Sequence, residues 1–209
     1  MTLSLHPSLG KQSLFEEGLK RAVHWLRTHN LSEPDYVFDN DKDANRYRKN
    51  LIHKTWYGCH YVERGKSLLV VNVKKCRVAT RIPGWSWTFP GYKADLTPYG
   101  VVCHEFGHHV DSTYFGGQKE ISSMAMWKEV VDNEEEISGY EPNYCESFAE
   151  AFRLFLTNPN LLKVARPERY GFFTDTLKFD APHNYSWKLV LKHAHPRIIQ
   201  AAENWIADQ

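Results

Sequence analysis

Residues 104–108 read His104-Glu105-Phe106-Gly107-His108, and the pair Thr97-Pro98 upstream says how they are presented. Threonine is a favoured N-cap and proline a favoured first helical residue, so a helix is predicted over 98–112. Asp95 is a second cap candidate for the same start. On a helix, positions i and i+4 lie one turn apart on one face. Two imidazoles at that spacing can reach one zinc ion. The glutamate after the first histidine then lies beside the open coordination position, where a general base is needed. A chain with 11 histidines can also carry this pentapeptide by chance, so its surroundings decide.

A catalytic zinc takes three protein ligands and a water. A metzincin would need Gly at 111 and His at 114, but those positions hold Asp111 and Tyr114, which excludes that class. The best remaining source is Tyr144-Cys145-Glu146-Ser147-Phe148-Ala149-Glu150-Ala151-Phe152, on a helix predicted near 143–157 and stopped by Asn158-Pro159. Glu146 and Glu150 share a face of this otherwise apolar helix. Buried carboxylates are costly unless paired or metal-bound, so both are drawn toward the two-histidine helix. Spacing alone leaves open which one binds metal; the other would orient a ligand histidine. The rival reading puts both on a solvated stripe with Arg153. Asp111, at i+3 from His108, is read as a further carboxylate orienting a histidine. His109 points about 100° away from His108 and reads as a packed or surface residue rather than a ligand. His193 and His195, beside a helix predicted over 196–207, have no partner motif and read as surface or capping residues.

His104-Glu105-Phe106-Gly107-His108-His109-Val110-Asp111, then Tyr140, then Glu146 to Phe152, closely resembles the catalytic domain of the anthrax lethal factor-like zinc metallopeptidases. That family's pattern is HEFGHxVD, a tyrosine, then EFFAEAF. The likeness covers about fifty residues, 104–153, and two separated motifs match in order. Arg153 to Pro159 also looks like small phage-encoded metallopeptidases. The resemblance implies His104, His108 and Glu146 as zinc ligands, Glu105 as general base and Glu150 as a supporting acid. Tyr140 would stabilise the oxyanion; its offset from Glu146 is one residue short of the family's, which leaves Tyr144 as a rival. Ser147 replaces a family phenylalanine, a change of packing more than chemistry. The toxin's large partner-binding regions have no counterpart here, so its substrate is not inherited. A phage origin would place the protein in the cytoplasm of a bacterial host.

The 209 residues suit one domain, 1–209, with a sizeable core. Hydrophobic residues make up 42% and charged residues 24%, a globular rather than a disordered composition. A net charge of +1 gives no global footprint for nucleic acid or a membrane surface. Residues 1–100 carry 16 Lys/Arg against 9 Asp/Glu, but Lys42, Arg46, Arg48, Lys49 and Lys54 alternate with acids and Asn, as on a solvated face. Cys59, Cys76, Cys103 and Cys145 form no CxxC pair and read as reduced, buried thiols. The first residues lack a signal-peptide pattern, and no apolar run approaches membrane-spanning length. A soluble protein of a reducing cytoplasm is expected.

Leu14, Leu19, Ala22, Val23 and Leu26 predict an amphipathic helix over 12–29. Residues 30–50 read as loop. Strands at 55–62 and 67–73 flank Glu63-Arg64-Gly65-Lys66, a hairpin connection. Further strands are predicted at 76–82 and 85–89, where Trp85 and Trp87 would share one face. Core packing is the first reading for them, and a substrate-binding cleft wall the sharper one. A helix over 119–137 carries Ile121, Met124, Trp127, Val130 and Val131 inward. The expected fold is α+β, a single zincin-like domain: a small N-terminal mixed sheet, an active-site helix and further C-terminal helices. The functional expectation is a zinc peptidase acting on a protein or peptide, without nucleic-acid or membrane partners. Its rivals are a binding or regulatory protein with a zinc site and a zinc amidohydrolase of a non-protein substrate. The intact Glu105 argues against a purely structural site.

Overall fold

The computed structural model describes residues 11–47, 56–76 and 95–182. Helix α1 (Lys11–Thr28) buries Leu14, Phe15, Gly18, Ala22, Trp25 and Leu26, an inward stripe at helical spacing. Strand β1 (Tyr36–Phe38) and helix α2 (Asp41–Tyr47) follow, in a stretch whose polar composition predicted only loop. A cap makes α2: Asn40 Oδ1 accepts from the Asp43 N–H at 3.0 Å. Asp41 and Asp43 occupy its first turn, where the helix dipole favours acids.

Strands β2 (Gly58–Glu63) and β3 (Lys66–Val71) form the predicted hairpin through Arg64 and Gly65, at φ 52° and 75°. Left-handed conformations at both central residues match a two-residue turn to the strand twist. β3 is central, antiparallel to β2 and parallel to β1, with Cys59 opposite Val70 and Val37 opposite Leu69. The small mixed sheet and the helices make the architecture α+β, as expected. Segments 48–55, 77–94 and 183–209, with Trp85, Trp87, His193, His195 and the helix predicted at 196–207, lie outside the described residues.

Helix α3 (Pro98–Thr113) begins where predicted, with Thr97 Oγ1 accepting from the Gly100 N–H at 3.1 Å. Asp95 reinforces that cap by accepting from the Thr97 N–H and hydroxyl. The single helix predicted over 119–137 is instead a 3₁₀ turn, Ile121–Ser123, followed by α4 (Ala125–Asn133). Asp111 causes the first break by accepting from both the Ser122 N–H and the Ser122 hydroxyl, at 2.6 and 2.7 Å. At the other end, Glu134-Glu135-Glu136 would put negative charge at a helix C-terminus, against the dipole.

Helix α5 (Tyr144–Thr157) is capped by Asn143, which accepts from the Glu146 N–H. Asn158 ends α5 and caps α6 (Pro159–Ala165), so the Asn-Pro pair read as a stop is also a start. Helix α7 (Pro167–Gly171) runs into a π-helical turn, Phe172–Thr176. Glu134 accepts from the N–H groups of Glu168 and Arg169 at the start of α7. Phe148, Phe152, Phe155, Phe172 and Phe173 interlock with Trp25 and Trp127 in the core. α3 runs through the middle, with α1, α5 and the sheet packed around it, and is buried along almost its whole length. The four cysteines are free thiols. No helix among the described residues is long and apolar enough to cross a membrane.

Candidate metal centre

Helices α3 and α5 touch at Gly107 and Ala149. A Cβ on Gly107 would lie 2.7 Å from the Cα of Ala149, nearer than packed atoms approach. The missing side chain therefore lets the two backbones meet. Around that point the sequence is symmetric: His104 and Glu146 lie three residues before the contact, His108 and Glu150 one residue after it. Each histidine pair and glutamate pair spans one helical turn, so the crossing presses the two motifs together.

The result is a cluster of three donor atoms. His104 Nε2 is 3.1 Å from Glu146 Oε2 and 3.1 Å from His108 Nε2, and His108 Nε2 is 3.4 Å from Glu146 Oε2. Zinc bonds of about 2.0–2.1 Å at tetrahedral angles separate neighbouring ligand atoms by about 3.3 Å. The triangle has the size that ion needs, and its donors are those of glutamate-liganded zinc sites. The remaining ring nitrogen of His104, Nδ1, lies 2.8 Å from Glu150 Oε1, and Arg153 holds Glu150 through two hydrogen bonds of 2.9 and 3.1 Å. Spacing left both glutamates open as ligands. The fold turns Glu146 to the histidine Nε2 atoms and Glu150 to the back of His104.

Electrostatics draw positive charge to the same point. Burial resists charge on His104, but hydrogen bonds with Glu146 and Glu150 outweigh it and push the imidazole up to about 10. Burial likewise opposes ionisation of Glu146, yet contacts with His104 and His108 hold it down at about 2. Glu150 is buried too, and Arg153, then His104, keep it well below the usual carboxylate range. Both carboxylates stay ionised because positive groups face them, His104 and His108 at Glu146 and Arg153 and His104 at Glu150, and the donor set of His104, His108 and Glu146 could hold a metal ion.

Glu105 sits beside this cluster. Its Oε2 is buried with no hydrogen-bond partner among the described residues. Burial pushes its carboxyl up, partly offset by His104 and His108. Gly58, at the start of β2, lies so close that a Cβ there would come within 2.5 Å of Glu105 Oε1. The strand thereby forms a roof over this carboxylate. A cleft of about 930 Å³ opens here, lined by Tyr57, His60 and Tyr61 from the β2 side and by Tyr140 opposite.

Tyr140, on a turn with Gly139 at φ 70°, puts its ring 6.1 Å from the His104 ring. Tyr144 turns away: its hydroxyl donates to Asp132, and it does not line the cleft. Of the two candidate tyrosines, the fold brings only Tyr140 to the donor cluster. Asp111, expected to orient a histidine, makes its hydrogen bonds to Ser122 instead. The reason is reach: its short side chain leaves α3 near the 3₁₀ turn. Of the packed and surface readings of His109, the fold selects the packed one, between Ser67 Oγ and the Ser32 carbonyl at 2.7 Å each. Cys145 was read as a plain buried thiol, yet it is only half-buried, and its Sγ lies 3.3 Å from His108 Nδ1. The only sequence signal for that contact was its place next to Glu146. Arg153 was visible at i+3 from Glu150, but as part of a solvated stripe; the fold buries it.

No family model, curated protein or solved structure matches the chain.

Proposed function

We propose that the protein is a zinc metallopeptidase of the lethal factor-like kind, hydrolysing peptide bonds of a protein or peptide substrate. The convergence of His104 Nε2, His108 Nε2 and Glu146 Oε2 at 3.1–3.4 Å carries this reading. Those three residues would hold the metal. Bound zinc supplies a Lewis acid that acidifies a water and polarises a carbonyl.

The chain's own groups supply the rest. Glu105 accepts the proton of the attacking water and returns it to the leaving amine, a role suited to a buried carboxylate with one unpartnered oxygen. Tyr140 donates its hydroxyl to the developing oxyanion. Glu150 accepts from His104 Nδ1–H and keeps the ring's other nitrogen turned inward. The cleft walls beside β2 receive the substrate chain.

Two histidines and a carboxylate also suit iron(II). The buried Glu105 beside them favours hydrolysis, because oxygen chemistry has no need of that base. The proposed setting is a reducing cytoplasm, that of a bacterial host if the chain is phage-encoded.

The test joins metal analysis of purified protein with a proteome-wide cleavage assay of wild type and Glu105→Gln. One zinc per chain and new peptide termini that vanish in the variant are expected. Zinc retained with no Glu105-dependent cleavage would favour a binding or regulatory role. Release of acyl groups from non-protein amides alone would favour an amidohydrolase.

A further inference from the structure

The two metal-facing histidines are supported differently. His104 Nδ1 meets the Glu150 carboxylate at 2.8 Å. Among the described residues no carboxylate lies at His108 Nδ1; the atom there is Cys145 Sγ, 3.3 Å away. Nδ1 and Nε2 lie on opposite edges of an imidazole, so this sulfur faces away from the donor triangle, and Sγ is not part of the convergent set. Asp111, on the same helix as His108, has both carboxylate oxygens anchored by Ser122. A neutral imidazole carries its proton on one nitrogen only, and the partner of the other nitrogen decides which. Sulfur accepts hydrogen bonds weakly, and a thiol donates one.

We propose that Cys145 is a positioning residue for His108: its sulfur accepts the Nδ1–H, and Nε2 is left unprotonated toward His104 and Glu146. The bridge comes from α5 because Asp111, on the same helix as His108, is held by Ser122. It also ties the supports of His108 to the residue next to Glu146, so that one helical turn both donates a ligand and fixes another. The proposal rests on the zinc reading for its consequence but not for its geometry.

The experiment compares wild type, Cys145→Ala and Cys145→Ser. The His108 tautomer is read from ring ¹⁵N shifts of zinc-free protein at alkaline pH, and zinc affinity from chelator competition. Wild type should hold the Nδ1–H tautomer. Cys145→Ala should mix the tautomers and weaken zinc binding roughly 10- to 100-fold, while Cys145→Ser, which keeps a hydroxyl bridge, should recover most of both. A wild-type His108 protonated on Nε2 would overturn the proposal, as would an unchanged tautomer and affinity in Cys145→Ala. Should Cys145→Ala fail to fold, the wild-type tautomer and Cys145→Ser still decide. If the wild type binds no zinc, the metallopeptidase reading fails and the tautomer measurement stands by itself.

Discussion

Glu150 and Arg153 form an ion pair inside the protein, three residues apart on α5, with Arg153 Nη2 2.9 Å from Glu150 Oε2 and both side chains 2% exposed. The same carboxylate accepts from His104 at 2.8 Å. One acid therefore serves both the core and the proposed metal centre, and the two roles can be separated. Glu150→Ala strands a buried guanidinium and should cost about 3–5 kcal/mol in urea unfolding. It should also weaken zinc binding roughly 10- to 100-fold. Adding Arg153→Met should restore most of the stability and none of the affinity. Recovery of both would mean that Glu150 acts on the metal only through folding.

A second buried pair holds the Tyr140 turn. Arg169 Nη1 donates to Glu141 Oε2 at 2.5 Å, and Glu141 Oε1 accepts from the N–H groups of Ile137 and Ser138. Arg169→Met should cost about 3–5 kcal/mol by leaving Glu141 uncompensated. Combining it with Glu141→Gln, which keeps an oxygen for the backbone N–H groups, should recover much of that loss. Equal denaturation midpoints for the single and double variants would contradict this account.

Gly107→Ala sets helix propensity against packing. Alanine favours a helix interior by about 1 kcal/mol over glycine. Here its methyl would lie 2.7 Å from the Ala149 Cα, and overpacking of this kind costs about 1–3 kcal/mol. The variant should be less stable than wild type and bind zinc more weakly, because α3 and α5 must part at the point that brings their ligands together. A thermal midpoint above wild type with unchanged affinity would refute the close crossing.

Asp95 links stability to pH. Its burial, opposed by Arg153 and by hydrogen bonds from Thr97, pushes the carboxyl up to about 8, against about 3.9 in an unfolded chain. The folded state thus keeps a proton that the unfolded state releases. The stability this contributes is complete below about 4 and is lost as pH rises through about 8. Asp95→Asn keeps an oxygen for the Thr97 cap and removes the titration. Urea midpoints measured from pH 5 to pH 8 should therefore fall less steeply in the variant than in wild type. Parallel profiles would assign the slope to other groups.

Much of the frame was legible in the chain because it depends on local chemistry. Thr97-Pro98 marks the start of α3 whatever lies around it, since cap and first-turn preferences act within a few residues. The β-prone runs 55–62 and 67–73 and the Arg64-Gly65 turn between them specify a hairpin on the same terms. The short β1 and α2 escaped because three strand residues and an Asn40 cap give almost no periodic signal. The helix read through 119–137 broke for a reason outside its own sequence: Asp111, eleven residues before Ser122, captured its first turn.

By itself the sequence determined the chemical inventory: two histidines one turn apart, a glutamate between them, and two more glutamates one turn apart on an apolar helix. Those spacings are fixed by the 3.6-residue period and need no tertiary information. Only the tertiary structure decided how the inventory is divided. The crossing of α3 and α5 at Gly107 and Ala149 sets which glutamate meets the histidine Nε2 atoms and which meets Arg153 and the back of His104. It also put Cys145 rather than Asp111 behind His108. Helical spacing fixes which side chains share a face, whereas the contact point between two helices fixes which atoms meet.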